Sequence, residues 1–204
     1  MQRRLAAILA ADVVGYSAMM RANEAETLDT LRRLKTEHLG PMVSGNNGKI
    51  LKSMGDGWLV EFASVVDAVS AALRLQDSLS DATEVRLRIG VHVGDITQDD
   101  DDFYGDGVNV AARLEGLAGP GEVLSSDAAF SGLDGTLAPV FADHGERQLK
   151  NIDRPVRIWR RGTEGEQTGH AARQTAKADL SGYPTLVIIP LATSDPRPEV
   201  QELA

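Results

Sequence analysis

Residues 49–62 read KILKSMGDGWLVEF, and this stretch decides the fold. Two short runs of strand composition, 49–53 and 58–62, flank Met54-Gly55-Asp56-Gly57, which is turn chemistry, so the segment reads as a β-hairpin. Upstream of it Gly45-Asn46-Asn47-Gly48 is another turn. Before that turn, Leu28, Leu31 and Leu34 recur at helical spacing up to about Leu39. Asn23 with Glu26 three residues on is the capping signal that opens this helix, and Gly40-Pro41 is expected to end it. Earlier still, residues 5–14 (LAAILAADVV) read as a buried strand. Downstream, Ser64 caps a second helix with Val66, Val69 and Leu73 on one face. Residues 86–93 then set Leu87, Ile89, Val91 and Val93 against Arg88 and His92, a strand alternation. The order β, α, β, β, α, β predicts an α+β fold of the ferredoxin-like split type, an antiparallel sheet with its helices on one face. Residues 107–117 add a helix bounded by Gly119-Pro120-Gly121, and 122–125 and 156–159 add strands that extend the sheet at the C-terminal side.

The 204 residues hold 42% hydrophobic and 25% charged side chains, the balance of a globular chain. The folded domain is expected over residues 1–161. From 162 to 183 the composition turns polar, as in a linker, and residues 184–204 open on Thr185-Leu186-Val187-Ile188-Ile189-Pro190-Leu191, a buried-strand type of segment read as the start of a truncated second domain. A net charge of -9 and only 4% aromatic residues argue against a nucleic-acid partner, while a small phosphate ligand held through metal ions stays compatible. Cysteine is absent, which removes disulfides, thiolate metal sites and cysteine nucleophiles. Arg3 and Arg4 before the apolar run imitate a secretory signal, but Asp12 interrupts that run and a core strand accounts for the same residues. No segment approaches the ~18 apolar residues of a membrane span. A cytoplasmic protein without membrane insertion by this segment is the expectation.

Two acids stand out. Asp12 lies at the end of the first strand and Asp56 in the hairpin turn, and the split topology brings both to one edge of the sheet. Singly they read as a cap and a turn residue; together they make a magnesium site, because Mg²⁺ takes hard oxygen ligands from one or two acids plus substrate phosphates. The known nucleotide motifs fail: Gly45-Asn46-Asn47-Gly48-Lys49 lacks the P-loop spacing, and Gly105-Asp106-Gly107 lacks the third glycine of the dinucleotide fingerprint. Phosphate is instead expected at Gly15, Tyr16 and Ser17, where a strand end meets a helix start and backbone amides face outward. Asn109 and Arg113, four apart, share one helical face and suit a developing oxyanion and a transferring phosphate, or else form a plain solvated face.

Four stretches in order, Ala11-Asp12-Val13-Val14-Gly15-Tyr16-Ser17, Leu51-Lys52-Ser53-Met54-Gly55-Asp56-Gly57, Arg88-Ile89-Gly90-Val91-His92-Val93-Gly94-Asp95 and Tyr104-Gly105-Asp106-Gly107-Val108-Asn109-Val110-Ala111-Ala112-Arg113-Leu114, resemble the class III nucleotidyl cyclases. The resemblance runs from about residue 5 to 160. It implies that Asp12 and Asp56 hold two Mg²⁺ or Mn²⁺ ions, that Lys52 and Asp102 contact the base, that Asn109 and Arg113 act in the transition state, and that Lys150 contacts the triphosphate. It further implies a homodimer whose two active sites draw residues from both protomers. Adenine presents an acceptor at N1 and a donor at its 6-amino group, so a lysine and an aspartate complement it, whereas guanine reverses both. Lys52 with Asp102 therefore points to ATP, although Asp102 also closes an acidic run, 99–102, that reads as a solvated loop. The expectation is an adenylate cyclase; a guanylate cyclase or a catalytically silent nucleotide-binding module are the competing readings. His92 reads as a satisfied strand histidine. Residues 183–191 resemble the opening of the TolB-like domains that follow some bacterial cyclases.

Overall fold

The computed structural model describes residues 2–82, 85–100 and 102–161. The chain divides into the units Met1–Thr168 and Gly169–Ala204. The expected linker at 162–183 and the strand-like segment after it lie outside the described residues.

In chain order the elements are β1 (Gln2–Val13), α1 (Tyr16–Ala22), α2 (Glu24–Arg33), a π-helical segment (Leu34–Leu39), α3 (Gly40–Gly45), β2 (Gly48–Met54), β3 (Gly57–Phe62) and α4 (Val65–Ala82). There follow β4 (Leu87–Asp99), β5 (Asp102–Tyr104), α5 (Asp106–Leu117), β6 (Val123–Ser126), α6 (Asp127–Phe130), β7 (Phe141–Arg147) and β8 (Val156–Arg161). The sheet order is β2-β3-β1-β4-β6-β8-β7, with β5 paired to the far end of β4. The first four of these strands, β2-β3-β1-β4, pair antiparallel with one another, the ferredoxin-like arrangement that the hairpin implied.

β1 is central because its apolar run is continuous, and a strand covered on both faces has no need to alternate. Ala7, Leu9, Ala11 and Val13 pack with Leu31 of α2, Val43 of α3 and Val69 of α4. Ala6, Ile8 and Ala10 point the other way and meet Ala111 of α5. The helices inside the βαββαβ unit thus share one face, as expected, and α5 supplies a layer on the opposite face. β6 runs parallel to β4 because α5 makes the crossover between them.

Glycine sets how closely α5 sits. A methyl group at Gly90 would lie 2.4 Å from both the Ala111 carbonyl oxygen and the Glu115 amide nitrogen, and one at Gly94 would lie 2.8 Å from Gly107 Cα. The α5 backbone therefore rests directly on β4. Gly90→Ala is expected to destabilise the domain by about 1–3 kcal/mol, the usual cost of overpacking. Thermal denaturation measures it, and an unchanged midpoint would contradict this seating of α5.

Two expectations need correction. Gly40-Pro41 does not end the helix; the chain continues as helix to Gly45. Proline lacks an N–H and collides with the preceding turn of an α-helix, and the π-helical turn before it widens the ladder, with Gly40 N–H bonded to the Lys35 carbonyl. β7 was also absent from the sequence reading. It is an edge strand with a register shift between Asp143 and Glu146 and with Gly145 at φ 76°, so its sequence FADHGER carries no clean alternation.

Candidate active site

The β1–β4 ladder sets Asp12 directly across from Arg88, and the β1–β3 ladder sets it across from Gly57. Asp56 precedes Gly57 in the hairpin turn and its carbonyl accepts a hydrogen bond from Val13 N–H at 3.1 Å. The two acids are therefore neighbours at one sheet edge. Asp12 lies on the α5 face, where Arg88 Nη2 donates to its Oδ2, and Arg88 Nε is 3.2 Å from Glu115 Oε1 on α5. Burial first, and then the nearby Asp12 charge, raise the Asp56 carboxyl above its ordinary value. Burial, followed by Asp12, does the same to Glu115. Three carboxylates, Asp12, Asp56 and Glu115, thus share one neighbouring guanidinium, that of Arg88. Two hard carboxylates suit Mg²⁺ or Mn²⁺ completed by substrate oxygens; among the described residues no cluster of three or more ligating side chains is present.

Lys52 and Asp102, fifty residues apart, are in contact. Lys52 Nζ lies 2.5 Å from Asp102 Oδ1, and the Tyr104 hydroxyl donates to Asp102 Oδ2 at 3.1 Å. Two features bring them together. β2 shifts register between Ile50 and Lys52, which re-aims the edge strand just before the lysine. Phe103 of β5 and Leu51 of β2 pack against the same cluster under α5. Each member holds the other charged: the hydrogen bond to Asp102 raises the Lys52 ammonium, and those from Lys52 and Tyr104 lower the Asp102 carboxyl.

On α5, Val110, Ala111 and Leu114 are buried, while Asn109 and Arg113 are exposed. Arg113 Nε donates to the Lys150 carbonyl oxygen at 3.3 Å, so the arginine and the loop after β7 are brought together. Asn151 follows at φ 62°, a left-handed conformation that asparagine tolerates among non-glycine residues. Just beyond Asp12, Gly15 at φ 76° turns the chain from β1 into α1, placing Tyr16 and Ser17 in that helix's first turn. His92 is partly buried and bonded through Nδ1 to Ser126 Oγ at 2.7 Å, and loss of solvation pushes its pKa down to about 4, so it is neutral near pH 7.

Sequence reasoning singled out neither Arg88 nor Glu115. The alternation that places Arg88 on the face of Gly90 was legible, but its pairing with Asp12 depends on the ladder register. Tyr104 stands in one of the four quoted stretches, but nothing local to it signals its bond to Asp102.

The sequence family described as the adenylate and guanylate cyclase catalytic domain matches residues 2–160. The chain belongs to this family. Among relatives of this cyclase domain, a Rhizobium meliloti (strain 1021) protein named "Putative adenylate cyclase 3" is 47% identical over 165 residues, covering 78% of this chain and 28% of its own length. An adenylate cyclase of Streptomyces coelicolor (strain ATCC BAA-471 / A3(2) / M145) is 32% identical over 130 residues, covering 63% of this chain and 34% of its own. The chain thus spans about a third or less of the length of these relatives. In three dimensions the cyclase domain superposes on the crystal structure of an adenylate/guanylate cyclase/hydrolase from Silicibacter pomeroyi, with a TM-score of 0.72 and 37% identity over 79% of this chain and 98% of that one. Among the described residues of the cyclase domain, no helix is long and apolar enough to cross a membrane.

Proposed function

We propose that this domain converts ATP to 3',5'-cyclic AMP and pyrophosphate, using two Mg²⁺ or Mn²⁺ ions at a site shared by two copies of the chain. The observation that carries the choice of ATP is the Lys52–Asp102 pair, an ammonium donor beside a carboxylate acceptor. Opened onto a base, Lys52 donates to adenine N1 and Asp102 accepts from the 6-amino group; guanine would oppose donor to donor and acceptor to acceptor. Tyr104 keeps the second oxygen of Asp102 occupied, which leaves the first for the base.

Asp12 and Asp56 hold the metals, and ions bound there supply Lewis-acid activation of the ribose 3'-hydroxyl and neutralise the phosphates. The 3'-hydroxyl releases its proton to solvent as its oxygen bonds the α-phosphorus, and the bond from that phosphorus to the oxygen bridging the β-phosphate breaks, so that pyrophosphate departs in line. Arg113 and Asn109 meet the charge and the ribose during that displacement, and Lys150 with the amides of Gly15, Tyr16 and Ser17 bind the phosphate chain.

The α5 geometry supports a site shared between chains. Glu115, which reaches Arg88 beside Asp12, is about 160° around the helix from Arg113 at 100° per residue. Within one chain the metal acids and Arg113 thus face opposite sides of α5, and one substrate needs both sets. Two antiparallel copies would bring them together.

Turnover of ATP and GTP by the purified chain, in Mg²⁺ and in Mn²⁺, tests the reading. ATP is expected to be the better substrate. Lys52→Glu with Asp102→Ser is expected to lower kcat/KM for ATP by about 10², since each mispaired group costs about 1–3 kcal/mol, and to raise relative use of GTP. Preference for GTP in the parent chain would make it a guanylate cyclase, and nucleotide binding without turnover would make it a silent module.

A further inference from the structure

The cation paired with Asp12 has a second carboxylate beside it. Arg88 bonds Asp12 through Nη2, while its Nε lies 3.2 Å from Glu115 Oε1. Both of those latter atoms are closed off from solvent, and neither completes a hydrogen bond. The distance suits a bond and the alignment does not, because the planar guanidinium is turned toward Asp12. Glu115 cannot easily withdraw, since α5 is seated against β4 at Gly90, within 2.4 Å of a would-be Cβ. The Arg88 side chain is 33% exposed, Asp12 22% and Glu115 17%, so the group keeps room to move at the rim while its two partners are held.

A divalent ion that takes Asp12 as a ligand must displace the guanidinium from that carboxylate. A modest rotation toward Glu115 would convert the misaligned contact into a full ion pair and leave no guanidinium uncompensated. We propose that Arg88 is a resident counter-ion of the metal carboxylate in the metal-free domain, and that Glu115 is the positioning residue that receives it when a divalent ion binds. The inference rests on the two-carboxylate metal site proposed above. Metal affinity then reflects an exchange of partners within the chain as well as the ligands themselves.

Mn²⁺ binding to the 204-residue chain without nucleotide, followed by the electron spin resonance of free Mn²⁺ at neutral pH, tests this. Arg88→Gln is expected to raise affinity about threefold to fivefold, in keeping with a partly exposed ion pair worth about 1 kcal/mol or less. Glu115→Gln is expected to lower it about threefold or more, because Arg88 then has nowhere to go. The double variant should bind as Arg88→Gln does, since a receiver matters only while there is a guanidinium to receive. In thermal melts, Mn²⁺ should stabilise Arg88→Gln more than the parent. Unchanged or weaker Mn²⁺ affinity in folded Arg88→Gln would overturn the proposal. So would an equal loss from Glu115→Gln with and without Arg88, which would make Glu115 an ordinary nearby charge. Should Arg88→Gln fail to fold, Arg88→Lys takes its place: one ammonium cannot serve both acids through a planar fork, so affinity should rise at least about twofold, and equal affinity would overturn the idea. Asp12→Asn separates the two levels, because retention of parental Mn²⁺ binding there would remove the metal site itself rather than the exchange.

Discussion

Asp12→Asn and Asp56→Asn proteins are expected to fold and to lose about 10³ or more of their metal-dependent turnover. Each substitution removes one hard, charged ligand from a pair that already stands close enough for one acid to raise the other's pKa. Lewis-acid stabilisation at such a site is worth several kcal/mol, and every 1.36 kcal/mol is a factor of ten in rate. The fold should survive. Asp12 and Arg88 are partly exposed, so their pair contributes about 1 kcal/mol or less, and Glu115 remains beside Arg88 in its absence. Steady-state turnover against Mn²⁺ concentration, with circular dichroism as the control for folding, makes the measurement. Parental activity in either variant would exclude that carboxylate from the metal site.

Mixing inactive Asp12→Ala with inactive Arg113→Ala is expected to restore activity. If the metal acids of one chain work with Arg113 of the other, a mixed dimer has one site carrying both lesions and one carrying neither. Random pairing at equal concentrations makes half the dimers mixed, so about a quarter of the parental sites should be intact. Each variant alone should be severely impaired, because loss of one positioned transition-state donor costs about 10² to 10³ in rate. The recovered rate should fall on dilution as dimers separate. A mixture of folded, exchanging variants that stays inactive would place the whole site within one chain. The physical ground for expecting recovery is the α5 geometry, with Arg113 on the exposed side and Glu115 on the side that meets Arg88.

Much of the architecture follows from local patterns. The Met54-Gly55-Asp56-Gly57 turn between two runs of strand composition folds as a hairpin, the apolar run near the start of the chain forms a core strand, and the Asn23 and Glu26 capping pair is formed as its spacing requires. Asp12 and Asp56 could be placed together because strand order alone decides which strand ends are neighbours. The same patterns were blind wherever one element's path depends on another. Helix continued through Gly40-Pro41 because a π-helical turn absorbed the missing donor, and β7 formed as an edge strand from a segment with no periodicity of its own.

The side chains around the candidate site divide in the same way. Residue types and spacing determined which groups could bind a base, a metal or a phosphate, since donor and acceptor chemistry belongs to each residue whatever surrounds it. Tertiary structure decided which of them meet. Lys52 reaches Asp102 because β2 shifts register and β5 packs with Leu51 under α5. Arg88 reaches Asp12 and Glu115 because one ladder register and one glycine-lined helix contact bring three separate segments within bonding distance. A contact of that kind depends on the summed geometry of several elements, and no short stretch of the chain encodes it.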